Sequence, residues 1–399
     1  MTVIPFTGPL AADVLTGKLS GTTNVVPLLL QRPPRQQVAT PSAIVYCEAN
    51  FGHIDGKTAN GLVRHSEKYK IVAVIDSATS GLDAGAVLDG TPNGIPIYRD
   101  LDDALDSLQA EPDTFIYGMA PATGKLSAHE RTVVLTAIQF GMNIVNGLHE
   151  FLNDDPVFLA ASKSANVRIV DILKPRPKND LRLFNGRVNA VPCPRIAVLG
   201  TDCAIGKRTT ASILTRALNQ RGIKAVMVST GQTGLIQGGR YGVALDAVPS
   251  QFCCGELEAA IIEASEGENP DIIVIEGQGA LSHPAFCTSA FILRGSVPDS
   301  VILQHAPGRK HRCDFEDMAM PSPESEIELI QSFTDTKVIG LTINHENMTD
   351  DAVSDAITAY ESQLGIPVTD ALSRPSQNLV QMVLSAHPQL AGKLTVNMQ

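Results

Sequence analysis

Residues 195–210, RIAVLGTDCAIGKRTT, join an apolar run to a glycine-bearing turn and a lysine that opens a helical pattern. A turn of this kind cradles a phosphate chain. Backbone N–H groups and the helix N-terminus face the anion, and the lysine bridges its oxygens. Two departures from the common pattern carry information. Gly200 and Gly206 enclose five residues, Thr201 to Ile205, where four are usual. Arg208 follows Lys207, at the position where a Ser or Thr normally holds Mg²⁺. The expected ligand-binding set is Thr201, Cys203, Ala204, Ile205, Gly206, Lys207, Arg208, Thr209 and Thr210. The ligand is phosphorylated, and its hydrolysis is not implied.

Further residues stand where they can do chemistry beside such a turn. The run Asp271–Ile275 (DIIVI) leads into Glu276-Gly277-Gln278-Gly279. An apolar strand ending in an acid brings a carboxylate to the ligand side of a parallel sheet. Alone it is a buried strand with a solvated end; behind a Gly-Lys turn it reads as part of a site. His283 suits proton transfer, since imidazole as a group exchanges protons near neutral pH, although a lone histidine is more often structural. Glu276 and His283 are the candidate bases, with Asp202 a third choice.

Between these motifs, STGQTGLIQGGRYG (229–242) holds five glycines and reads as a loop too flexible for strand or helix. It offers Gln232 and Thr233 to a substrate. Glu256, at the start of the next helical pattern, serves the helix dipole or reaches the site. HAPGRKHR (305–312) brings Arg309 and Arg312 to a strand end, and their planar forks suit carboxylates or phosphates. A solvated basic loop is the plainer alternative. Asn344 closes LTIN, where it either forms a turn or reads a purine edge. A second Gly-Lys-Thr occurs at Gly56-Lys57-Thr58, but Gly52 and Gly56 enclose only three residues. It is read as a βα turn at the edge of a cleft, as are Asp76, His149 and Glu150.

The elements that must position these residues are α/β throughout. The chain has 399 residues, long enough for two cores. Residues 1–40 read as an extended arm. Strands are expected at 43–48, 70–76, 114–119 and 143–146, with helices at 58–66 and 128–140. A Pro-punctuated stretch, 174–194, reads as a hinge between halves. A second alternation then gives strands at 196–199, 224–229, 271–275, 300–304, 337–343 and near 367–368. The expectation is two doubly wound domains, an N-terminal Rossmann-like domain over 41–180 and a C-terminal P-loop NTPase-like domain over 190–399. The net charge of −11 argues against nucleic-acid or membrane partners. Seven cysteines without a CxxC pair suit a reducing cytoplasm, and no metal site is expected. A homo-oligomer is the default for such an enzyme.

GTDCAIGKRTT, EGQG and LTIN, in this order, resemble the dethiobiotin-synthetase branch of P-loop proteins, with the same five-residue gap. Over residues 40–385 the chain more closely resembles a two-domain family in which STGQTG, GELE and EGQG-x-LSHPAF recur. Members of that family are identified as D-glutamate N-acetyltransferases that use acetyl-CoA. The resemblance implies acyl transfer to the amine of a D-amino acid, with the phosphate loop holding coenzyme A. It implies substrate carboxylates at Arg309 and Arg312, and a base among Glu276, His283 and Asp202. The rival expectation is a kinase or ligase using ATP with Mg²⁺.

Overall fold

Short runs of β-branched and aliphatic residues, each followed by a helical pattern, condense into two parallel sheets. The computed structural model describes residues 40–394 apart from residues 54, 122 and 314. Except for Thr40, the expected arm lies outside the described residues. The first sheet contains β1 (Ser42–Tyr46), β2 (Lys70–Ile75), β3 (Ile97–Tyr98), β4 (Thr114–Tyr117), β5 (Asn143–Asn146) and β6 (Ile169–Asp171). Its order is β3-β2-β1-β4-β5-β6, and every pairing is parallel. Ile44, Val45, Phe115 and Ile116 are shut from solvent, as in a sheet with helices on both faces. The order reverses between β1 and β4, which opens a crevice at the carboxyl ends of those strands.

The second half contains β7 (Arg195–Gly200), β8 (Ala225–Ser229), β9 (Tyr241–Gly242), β10 (Ile272–Glu276), β11 (Ser300–His305), β12 (His311–Arg312), β13 (Phe315–Ala319), β14 (Lys337–Ile343) and β15 (Val368–Asp370). Seven of them form a parallel sheet ordered β15-β14-β11-β7-β10-β8-β9, while β12 and β13 pair as an antiparallel hairpin. Alternate residues enter two cores. Ala197, Leu199, Ile273 and Ile275 face one layer of helices; Ile196, Val198, Ile272 and Val274 face the other. The fold is two parallel-sheet α/β domains. Because β7 lies between β10 and β11, Glu276 and His305 emerge on either side of Gly200.

Two expectations are corrected. Residues 229–242 are not an irregular loop: Gln232–Gln237 is a helix and 241–242 joins the sheet as β9. Its glycines serve close packing. A Cβ at Gly234 would lie 2.6 Å from the Glu276 carboxylate and the Ser229 hydroxyl, and one at Gly242 would lie 2.2 Å from the Ser229 carbonyl. The Pro-punctuated stretch is likewise no loose hinge. Val188 and Cys193 are buried in it. Glu256 accepts from Arg182 N and pairs with Arg176, and Glu258 accepts from Asn185 N and Val188 N. Glu256 therefore fastens this connection to the long helix Ser250–Glu268 instead of reaching the site.

A polar seam joins the halves. Helix Lys57–Arg64 packs on helix Gln232–Gln237, where the buried Thr58 and Thr233 hydroxyls meet at 2.8 Å. Gln237 donates to the carbonyls of Gly61 and His65 at 2.6 and 2.7 Å, and its own carbonyl accepts from Glu67 N. Among the described residues no helix is long and apolar enough to cross a membrane.

Candidate functional site

The loop from Thr201 to Gly206 connects β7 to helix Lys207–Asn219. Gly206 (φ 98°) and Ala204 (φ 50°) both adopt left-handed backbone, which turns successive N–H groups inward. Glycine takes that conformation without penalty; Ala204 holds it under strain, as residues at ligand clamps do. Gly200 must be bare. A Cβ there would lie 2.8–3.0 Å from Ile205, Lys207 and the Gln304 carbonyl. Lys207 is buried, and its ammonium donates to the Asp202 carbonyl oxygen. Burial pushes the Lys207 ammonium below the ordinary lysine value.

A ring of polar residues holds this loop from below. Gln304 accepts from Thr201 N at 3.0 Å through its carbonyl, and from the Thr210 hydroxyl at 2.6 Å through its side chain. The Thr201 hydroxyl meets His305 Nδ1 at 2.9 Å. Burial lowers the His305 imidazole from 6.5 to about 4, so it stays neutral there. Asn344 donates to the Ile205 carbonyl at 3.2 Å, bracing the loop.

Arg309 and Arg312 are committed to the loop rather than held open to a substrate. Arg309 donates to Asp202 Oδ2 and the Cys203 carbonyl at 2.9 Å, and grips both oxygens of Glu346 at 2.8 and 2.9 Å. Burial opposes its charge, but Glu346 and Asp202 outweigh that and raise its value. Arg312 is buried between the Thr201 carbonyl and Ser282. Thr233 is likewise spent on Thr58 at the seam. Gln232 is partly exposed, beside the backbone of Gly147 from the first half.

Arg208 points into the same seam. Its guanidinium donates to Gln237 and stands where Gly61 has no side chain; a Cβ at Gly61 would fall 2.4 Å from it. Burial lowers the Arg208 value, and Glu276 pulls it back up. Glu276 itself is buried at the end of β10 and accepts from Thr230 N at 3.0 Å. Burial raises its carboxyl above the ordinary glutamate value, against the pull of Arg208. Asp202 and His283 lie under the loop with side chains wholly shut from solvent, 3.8 Å apart.

Some site residues were missed by sequence reasoning. Gln304 and Glu346 carry no motif, and their partners lie about a hundred and about forty residues away. Asp246 follows β9, is exposed to solvent, and still has its carboxyl raised by the protein around it. It interacts electrostatically with Lys57 and His149 of the first half.

Two family models match this chain: a P-loop domain of the DUF1611 family over residues 182–380, and its Rossmann-like N-terminal domain over residues 77–175. The chain belongs to the DUF1611 family. It is 32% identical over 265 residues to a D-glutamate N-acetyltransferase of Pseudoalteromonas sp, covering 65% of this chain and 77% of that protein. It is 30% identical over 276 residues to one of Tritonibacter scottomollicae, covering 67% and 80%. A crystal structure of a DUF1611 family protein from Anabaena variabilis superposes with a TM-score of 0.80 at 31% identity, covering 86% of this chain and 99% of that one.

Proposed function

We propose that this protein transfers an acetyl group from acetyl-CoA to the amine of D-glutamate, with the loop 201–207 holding phosphates of coenzyme A. The names of the two DUF1611 relatives support the reaction class. The observation that carries the donor is Arg208. It occupies the position of the Mg²⁺-holding hydroxyl and is turned to Gln237 and Glu276. With Arg208 turned into the seam in place of that hydroxyl, the loop suits a ligand whose phosphoanhydride stays intact.

Attack on the thioester needs a neutral amine and a proton acceptor. Glu276 fits that role best of the three candidates, because burial raises its proton affinity while it remains at the ligand side of the sheet. Asp202 and His283 are sealed beneath the loop. Backbone N–H groups of the Gly-rich segments outside that loop supply donors for the thioester oxyanion. The carboxylates of the acceptor fall to the cleft side, where Lys57 stands exposed at the start of its helix.

One observation favours a second reading. A carboxylate at a strand end beside a Gly-Lys loop also serves ATP-dependent kinases and ligases that use Mg²⁺. Thiol release from acetyl-CoA, measured with and without D-glutamate and without added Mg²⁺, separates the two. D-glutamate-dependent release is the expected result. Silence there, with Mg²⁺-dependent ADP formation from ATP, would replace acyl transfer with the kinase or ligase class.

A further inference from the structure

At the phosphate loop, two chain segments bring three metal-ligating atoms together. A carboxylate oxygen of Asp202, Cys203 Sγ and Cys313 Sγ all lie within 4.8 Å of one another. Asp202 and Cys203 belong to the loop after β7, and Cys313 directly follows β12. Asp202 is wholly buried, and its Oδ1 accepts no hydrogen bond among the described residues. Its other oxygen is fully used, accepting from Arg309 and from Cys313 N at 2.9 Å each. A buried carboxylate oxygen without a donor is costly unless a cation completes it.

We infer that Asp202, Cys203 and Cys313 form a site for a thiophilic divalent cation, with Zn²⁺ the fitting ion. Bonds of about 2.3 Å to sulfur and about 2.1 Å to oxygen set tetrahedral ligand atoms roughly 3.6–3.8 Å apart. The observed cluster reaches that by side-chain movements of about 1 Å. Two thiolates select Zn²⁺ over Mg²⁺ or Ca²⁺, which prefer oxygen. Both cysteines are partly exposed, which gives an ion a path inward.

Two cations stand beside the cluster. Lys207 interacts electrostatically with Cys203 and Cys313, and Arg309 neutralises Asp202. His283 belongs to the outer sphere. Ala285 N donates to its Nδ1 at 3.2 Å, which leaves the proton on Nε2, facing Asp202 Oδ1 at 3.8 Å. An N–H so placed orients a ligating carboxylate. Three protein ligands leave the fourth position open for water or an anionic atom of a substrate, on the Lys207 side. The inference is independent of the acyl-transfer reading.

The test is a Co²⁺ titration of the full chain, stripped of metal and kept reduced under anaerobic conditions. The expected result is one equivalent bound, a thiolate-to-cobalt charge-transfer band with tetrahedral visible bands, and displacement of the colour by one equivalent of Zn²⁺. C203S and C313S should each lose the charge-transfer band and bind Zn²⁺ on the order of a hundredfold more weakly. C287S, which changes an exposed cysteine outside the cluster, should keep both. Metal-free melting of the two variants at the wild-type temperature separates ligand loss from misfolding. No charge-transfer band in the wild type would overturn the site, as would a band unchanged in both variants. So would recovery of Cys203 and Cys313 as a disulfide under the same reducing conditions.

Discussion

The two halves of this protein each carry a strand, a Gly-Lys turn and a helix, and the two turns are built differently. In the first half, Gly56 caps helix Lys57–Arg64 with φ −81°, Lys57 is exposed, and Thr58 is buried against Thr233. In the second, Gly206 is left-handed, Lys207 is buried, and five residues wrap inward before it. Three residues between the glycines are too few to form a concave ring of N–H groups; five are enough. The tripeptide is therefore weak evidence by itself, and loop length with what lies beneath decides its chemistry.

The acids at the strand ends differ in the same way. Asp76, after β2, accepts from Ala49 N, Ala78 N and the Thr79 hydroxyl and is a local turn brace. Glu276, at the end of β10, is buried and interacts electrostatically with Arg208 and Lys207. The sharpest test of the contrast is E276Q against D76N. E276Q should lower kcat/KM for acetyl transfer by a factor of about 10²–10⁴. The wild-type acid limb should lie above the ordinary carboxylate value, since the raised carboxyl must lose its proton to act. D76N should leave kcat/KM within about twofold and lower only stability. Equal losses of activity would erase the distinction.

A second test reads pH. His305 lies beneath the second turn with a value of about 4 against 6.5 when unfolded. Between those values the unfolded chain binds a proton that the native chain refuses. Its contribution is complete above about pH 6.5 and is lost as pH falls toward 4, amounting to about 3 kcal/mol. Amide exchange over 195–210 should accelerate through that window, and H305Q should flatten the dependence. Among the described residues of the first turn and its helix, His53 is exposed and His65 only partly buried. Exchange over 57–64 should therefore respond less.

A comparable effect is expected from the lysines. K207A should weaken coenzyme A binding on the order of a hundredfold by calorimetry, the loss of a charged hydrogen-bonding partner. K57A should change it by less than about threefold. If K57A proves as damaging, the first turn binds phosphate too. The smallest effect belongs to the seam: T58V leaves the Thr233 hydroxyl without its buried partner and should cost about 1–2 kcal/mol in denaturant unfolding.

Much of the frame was legible locally. The strands at 70–75, 143–146 and 337–343 lie where apolar runs between helical patterns place them, because β-branched runs bounded by turn residues depend on near neighbours. The very short β3, β6 and β9 and the β12–β13 hairpin left no such pattern, and pairing partners define them. The five glycines of 229–242 signalled flexibility when read singly. In the fold they are contact points, because Glu276, Ser229 and the seam leave no room for a Cβ.

Sequence by itself determined that this chain builds two α/β halves with a Gly-Lys loop of unusual length in the second, since those features are periodic or contiguous. Only the tertiary structure decided which cations remain available. Arg309 is matched to Glu346 and Asp202, Arg312 is locked under Thr201, and Arg208 is turned to Gln237. It also decided that Cys203 meets Cys313 across more than a hundred residues. The physical reason is strand order: placing β7 between β10 and β11 brings three distant strand ends to one point, and no local pattern encodes that neighbourhood.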